Sequence, residues 1–244
     1  MDFVYYFDEV VRELFHLRGS WKMRRGVFIA QVYFTGVQAL KTVFWISLCL
    51  GIVVVLGGHS TLGGVDKNII YEILISASIR DIGPLFTSIY ILMRSGMAIS
   101  TELGNMTANR EIDALKSMGI SPVDYLVTPR IFGVVVSVIV LSIYFALFSI
   151  FGGFIVASLL LNIPLGEFFR DFSIILNFYD IALMLVKCIA AGVIVGAICS
   201  YHGLRVQSAV TEVPVRNLKA MTQSLICVLS FNILWILVFV VRPA

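Results

Sequence analysis

Five long apolar runs separated by short polar intervals dominate the hydrophobic pattern of this chain. A helix needs roughly 20 apolar residues to cross the hydrocarbon core of a bilayer, so the pattern predicts five spans. They are placed at about Thr42 to Leu56, Ile69 to Ser100, Ile131 to Leu161, Asp180 to Cys199 and Ala220 to Val241. Alternating segments of the outer-membrane barrel type are absent, so the spans are read as helices. The expected fold class is therefore an all-α integral membrane protein. Gly57, Gly58, Gly63 and Gly64 predict the loop between spans one and two. The stretch from Asn162 to Tyr179, with Pro164 and the Phe168-Phe169 pair, predicts a re-entrant or interfacial piece.

Ahead of the spans, Phe3, Phe7, Val10, Leu14 and Leu17 recur at helical spacing, with Val4 and Val11 beside them. Asp8, Glu9, Arg12, Glu13 and His16 fall largely off that face, which predicts an amphipathic helix. Lying in the membrane interface and packing on another subunit both fit such a helix. A basic cluster of Arg18, Lys22, Arg24 and Arg25 follows, suited to an anionic leaflet. Val27 to Leu40 is interrupted by Gln31, Gly36 and Gln38 and is expected to form a half-embedded elbow. Residues 1–41 thus read as N-terminal interfacial helices and 42–244 as the transmembrane domain. The start of the chain lacks the pattern of a cleaved signal peptide, so the first span is expected to direct insertion.

The longest polar interval runs from Glu102 to Arg130 and carries seven charges. Asn109 is expected to cap a short helix over Arg110 to Met118, with Glu111 and Asp113 near its positive end. Ile112, Leu115 and Met118 share one face, and Gly119 with Pro122 supplies the stop. Such a helix is only about 13 Å long, so it connects spans rather than crossing the membrane.

Composition agrees with the pattern: 59% of residues are hydrophobic and 14% charged, too few charges to cover a soluble domain of this length. The net charge of +3 is too small to imply nucleic acid. Outside the spans, twelve Lys and Arg fall on the side of the N-terminus, the Glu102–Arg130 interval and the loop after span four. Lys67, Arg170 and Arg242 are the three on the other. The positive-inside rule then expects a cytoplasmic N-terminus, and five spans put the C-terminus on the opposite side. Cys49, Cys188, Cys199 and Cys227 lie in or at the ends of apolar segments, without metal spacing or a disulfide framework. His16, His59 and His202 are isolated, and no nucleotide-binding loop, metal motif or catalytic set is present.

Three cations lie inside spans: Arg80 and Arg94 in span two and Lys187 in span four. Such a group costs several kcal/mol unless paired or wetted. Asp81 adjoins Arg80, and Asp180 stands two turns before Lys187. One reading makes Arg80, Asp81 and Lys187 a polar lining for a charged headgroup; the other makes them a buried ion pair that fixes helix packing. Arg94, two turns from the end of its span, is expected to snorkel to the interface or to meet phosphate.

Arg80-Asp81-Ile82-Gly83-Pro84, Glu102-Leu103-Gly104-Asn105-Met106, Glu111-Ile112-Asp113-Ala114-Leu115, Met118-Gly119, Pro122 and Pro129-Arg130 together resemble the MlaE family of ABC-transporter permeases. Lys187 and the stretch Tyr201-His202-Gly203-Leu204-Arg205-Val206 extend the resemblance over nearly the whole chain after its amphipathic start. It implies a homodimeric permease in a bacterial inner membrane that passes phospholipid to or from a periplasmic protein with mammalian-cell-entry (MCE) domains. It also implies a cytoplasmic ABC ATPase dimer that binds ATP and Mg, with no cofactor or catalytic residue in this chain. By the same resemblance Glu102, Arg110, Glu111, Ile112, Asp113, Leu115, Met118 and Gly119 belong to the coupling segment, helix 110–118 docking in the ATPase. Arg80, Asp81, Arg94 and Lys187 are the implied intramembrane or lipid-pocket positions. Asp81 stands where the family commonly has Glu, and Leu92-Met93 precede Arg94 where a small Ala-Gly pair is usual. Two rivals fit the residues without the resemblance: an ion-coupled secondary transporter using Asp81 and Lys187, and a membrane assembly subunit that transports nothing.

Overall fold

A computed structural model describes residues 5–8, 10, 12, 21–62, 67–161, 164–206 and 210–240, and these include helices and no strand. In chain order the helices are α1 (Trp21–Thr35), α2 (Leu40–Leu62), α3 (Lys67–Ile75), α4 (Ile82–Ile91) and α5 (Met97–Ala108). They continue with α6 (Glu111–Ser117), α7 (Thr128–Leu161), α8 (Leu165–Ile175), α9 (Phe178–Leu204) and α10 (Val213–Val240). Three π-helical turns, Ser76–Arg80, Leu92–Gly96 and Val123–Val127, interrupt the ladder. Five stretches have the length and hydropathy to cross a membrane: Arg25–Ser60, Ile69–Ala108, Val123–Leu159, Phe178–Leu204 and Val213–Val238. The chain is a multi-span α-helical membrane protein.

Several boundaries differ from the sequence expectation. Helix α2 continues through Gly57 and Gly58 to Leu62, where a glycine-rich loop was expected; Gly63 and Gly64 lie outside the described residues. Glycine is tolerated inside a membrane helix, and the nearest atom a Cβ at Gly58 would meet is Ile70 Cγ1 at 3.5 Å, an ordinary packing contact. The expected elbow is the helix α1 followed by a 3₁₀ turn at Val37–Ala39. The stretch expected to be re-entrant or interfacial holds the helix α8, which starts after Pro164. Helix α9 runs past the expected end of span four to Leu204, and α10 begins before the expected start of span five, at Val213.

Of the amphipathic start, Tyr5–Asp8, Val10 and Arg12 are described and helical. The expected face members Phe3, Val4, Val11, Leu14 and Leu17, and Arg18 of the basic cluster, lie outside the described residues. Val10 is buried as its place on that face requires, but Phe7 is exposed and Tyr6 is buried instead. The buried side is rotated because Tyr6 packs its ring 5.3 Å from that of Tyr201.

The chain divides into two compact units. One comprises Gln38–Thr87 and Ile139–Cys188. Within it α2 and α7 approach so closely that a Cβ at Gly51 would collide with the Ser149 carbonyl, and one at Gly152 with the Leu48 carbonyl. Helix α8 inserts Phe168 fully into this unit, between Tyr71 and Phe154 at ring distances of 5.1 and 5.2 Å. The hydroxyls of Ser78 and Ser149 hydrogen-bond at 2.7 Å, which satisfies two buried polar groups against each other.

The other unit comprises Met1–Val37, Ser88–Val138 and Ile189–Ala244. Here Gly192 and Gly196 of α9 let the backbone of α7 come close, since a Cβ at either would press on Val135 or Ile131. Gly203 does the same against Leu103 and Ser100 of α5. Asn217 of α10 donates to Thr101 Oγ1 of α5 at 2.6 Å.

Candidate functional site

Pro84 organises the first site. It has no N–H, so the carbonyl of Arg80, four residues earlier, loses its ordinary helical partner. The ladder shifts before it: Asp81 N–H donates to Ser76 O at 3.0 Å, which closes the π-helical turn, and Asp81 bends away at φ −129°. The freed Arg80 carbonyl is taken by Lys187 Nζ at 2.6 Å, and the same ammonium donates to Asp81 Oδ1 at 2.7 Å. Arg80 in turn makes a two-pronged bond to Asp180, Nε to Oδ1 at 2.8 Å and Nη2 to Oδ2 at 3.2 Å.

Asp180 and Lys187 stand two turns apart on one face of α9, opposite the Arg80-Asp81 bend, so the two pairs close side by side. Two cations and two carboxylates leave the cluster formally neutral. Helix α9 supplies the buried member of each pair: Asp180 and Lys187 side chains are each 5% exposed, against 34% for Arg80 and 39% for Asp81. Asp180 also accepts the Asn177 N–H at 3.2 Å, which fixes its carboxylate at the start of α9. The arrangement offers two opposite half-exposed charges, each braced from behind by a buried counter-charge.

The structure therefore gathers Arg80, Asp81 and Lys187 and adds Asp180, which the sequence showed only as a carboxylate near Lys187. The Arg-Asp-x-x-Pro order was the available signal, because the proline orphans the arginine carbonyl. Arg94 is not a member of this cluster. It belongs to the other unit, in the π-helical turn Leu92–Gly96, with Nη1 at 3.3 Å from the Tyr90 hydroxyl.

The second site is the segment around α6. Asn109 ends α5, its N–H bonded to Asn105 O at 2.9 Å while Arg110 N–H takes Thr107 O at 3.0 Å, and does not cap α6 as expected. Arg110 takes the N-cap position in the left-handed region at φ 62°, with no side-chain cap bond. Both assignments satisfy the spacing, and a single residue between two helices can close only one of them. At the other end Gly119 has φ 74°, Ile120 N–H reaches Leu115 O and Gly119 N–H reaches Lys116 O, each at 3.0 Å. That is the Schellman closure expected of the glycine. Ile112 is buried, Leu115 half-buried, and Glu111, Asp113 and Met118 are exposed, so Met118 leaves the apolar face expected for it.

At the base of this segment Glu102 Oε1 pairs with Arg130 Nη2 at 2.8 Å, a link the sequence did not predict. Arg130 is buried and Glu102 is exposed, and Arg130 Nη1 has no hydrogen-bond partner among the described residues. Pro129 again denies a carbonyl its partner one turn back, and the π-helical turn Val123–Val127 absorbs the break, with Thr128 Oγ1 bonded to Val123 O at 3.1 Å. His202, read as isolated, is buried and shares a 2.7 Å hydrogen bond with Gln223. Among the described residues no group of three or more His, Cys, Asp and Glu could hold a metal.

Comparison with known proteins agrees with this architecture. The family model for the permease MlaE matches residues 28–238. The intermembrane phospholipid transport system permease protein MlaE of Haemophilus influenzae is 28% identical over 179 residues, covering 72% of this chain and 69% of that one. A probable ABC transporter permease protein of Rickettsia typhi is 24% identical over 209 residues, covering 85% and 81% respectively. A third, from Pyropia yezoensis, is 24% identical over 202 residues, covering 81% and 77%. With the match running from α1 through α10, this chain belongs to the MlaE family of ABC-transporter permeases.

Proposed function

We propose that this chain is the permease subunit of an ATP-driven transporter that moves phospholipid between the inner and outer membranes of a bacterium. Two copies sit in the inner membrane with the N-terminus in the cytoplasm, residues 42–244 forming the permease domain of each. An ABC ATPase dimer docks on α6 and its flanks and supplies ATP and Mg. A periplasmic MCE-domain protein gives or receives the lipid. Nucleotide-driven closure of the ATPase pushes on the coupling segment, and the short connections pass that motion to spans two and three.

The observation that carries this reading is the neutral quartet of Arg80, Asp81, Asp180 and Lys187 within apolar helices. A phospholipid needs an apolar route for its chains and a few polar groups for its headgroup. The half-exposed Arg80 suits a phosphate and the half-exposed Asp81 a headgroup amine, while their buried partners keep either from standing uncompensated in the membrane. The relative from Haemophilus influenzae is named for phospholipid transport, which points the same way.

Purification from native membrane in mild detergent, with identification of every accompanying protein and lipid, tests the proposal. An ATPase and an MCE-domain protein that are lost in Glu111→Lys/Asp113→Lys, together with bound phospholipid, are the expected result. A stable lone subunit without an ATPase contradicts it and favours an ion-coupled carrier.

A further inference from the structure

Helix α6 turns the face carrying Ile112 and Lys116 towards a cavity of about 290 Å³. Ile112, Val123, Tyr201 and Leu204 give it an apolar wall; Lys116 and Arg205 also line it, and no carboxylate does. Arg205 lies over the Tyr201 ring, its guanidinium carbon 5.0 Å from the centroid. That contact is not a hydrogen bond, and the guanidinium N–H groups bond no acceptor among the described residues. The carboxylate paired with Lys116 is Asp113, at 3.8 Å on an exposed surface, a contact worth little. The cavity thus joins an apolar wall to two cations that no carboxylate of its lining meets.

Its depth is fixed by the chain. Val123 opens one membrane-crossing stretch and Leu204 closes another, so the cavity lies at span ends, in the headgroup layer. Tyr6 and Tyr201, both lining it, are the residue type that favours that layer. Positive-inside counting makes this the cytoplasmic end, where anionic lipid is drawn to basic groups. The exposed side of α6, with Glu111, Asp113 and Met118, does not line the cavity and stays available to a docking protein.

We infer that this cavity binds the phosphate headgroup of an anionic phospholipid of the surrounding leaflet, as a site separate from the charge quartet. The phosphate is held between Lys116 and Arg205, and the glycerol end of the chains lies along Ile112, Val123 and Leu204. A lipid so bound ties α6 to the end of α9 and stiffens the coupling segment, so the anionic lipid content of the leaflet regulates the permease. The binding site rests on the chain spanning a membrane, and its regulatory effect rests on the proposed role of α6 as the coupling segment.

The test uses the purified permease in nanodiscs of phosphatidylcholine containing a minor fraction of phosphatidylglycerol, with retained lipid counted by native mass spectrometry. Wild type is expected to retain phosphatidylglycerol selectively. Lys116→Gln/Arg205→Gln is expected to lower that retention about tenfold, and Lys116→Arg/Arg205→Lys to keep most of it. The control Lys41→Gln/Lys219→Gln removes two exposed cations outside the cavity and leaves retention unchanged. Unchanged retention in Lys116→Gln/Arg205→Gln, or an equal fall in the control, overturns the site. Displacement of the lipid by equimolar inorganic phosphate overturns the lipid assignment in favour of a free anion. Wild-type retention with loss of a co-purifying ATPase in Lys116→Gln/Arg205→Gln gives the cavity to a protein partner instead.

Discussion

Arg80 and Asp180 stand 100 residues apart and meet through two hydrogen bonds of 2.8 and 3.2 Å. Removing one charge strands the other. Asp180→Asn is expected to lower stability by about 1–3 kcal/mol, below the full value for a buried pair because Arg80 is one-third exposed. Arg80→Lys is expected to lose part of the same amount, since an ammonium cannot reproduce the planar fork. Thermal unfolding in detergent measures both, and an unchanged midpoint in Asp180→Asn contradicts the pairing.

Lys187 answers two acceptors, Asp81 and the carbonyl that Pro84 orphans. Lys187→Met is expected to destabilise by about 2–3 kcal/mol. In a Pro84→Ala background the loss is expected to shrink by about 1 kcal/mol, because an alanine there supplies the missing N–H. A double-mutant cycle on unfolding free energies reads the coupling directly. Strict additivity would mean that Pro84 does not prepare the site.

The Glu102–Arg130 pair predicts that the second change offsets the first. Glu102→Ala leaves the buried guanidinium without a counter-charge and is expected to cost about 1–3 kcal/mol. Glu102→Ala/Arg130→Met removes the buried charge as well and is expected to recover most of that loss. A double variant less stable than Glu102→Ala would show that Arg130 serves another partner.

The two left-handed residues that bracket α6 separate strain from packing. A Cβ at Gly119 meets nothing within 4 Å, so Gly119→Ala tests conformation alone and is expected to cost about 1 kcal/mol. Arg110→Gly is expected to be neutral or stabilising, because glycine adopts φ 62° without penalty. Hydrogen exchange across residues 110–120 gives the local effect, faster in the first variant and not in the second.

The spans were legible in the sequence because burial in lipid demands about twenty apolar residues wherever it occurs. Their ends were not: glycine tolerance in lipid let α2 run through Gly57 and Gly58, and local polarity said nothing of it. Arg80, Asp81 and Lys187 stood out as charges among apolar residues, yet the cross-pairing with Asp180 depends on which faces α9 and the bend at Asp81 present. Arg130 could not be matched to Glu102 for the same reason, since the turns and helices between them decide whether they meet. Tyr6 escaped notice because a tyrosine next to a clean apolar stripe reads as its border, whereas its buried partner Tyr201 lies far along the chain.

Whether the quartet handles lipid or only holds helices together is settled by removing all four charges at once. Arg80→Met/Asp81→Leu/Asp180→Leu/Lys187→Met keeps the volume roughly constant, and replacing whole buried pairs by apolar groups is often neutral for stability. Transfer of labelled phospholipid by the reconstituted complex, with and without ATP, is then the measurement. ATP-dependent transfer is expected of wild type, and its loss in the quadruple variant, which still folds and still carries the ATPase. Wild-type transfer by that variant would contradict a role in lipid handling and leave the charges a purely structural one.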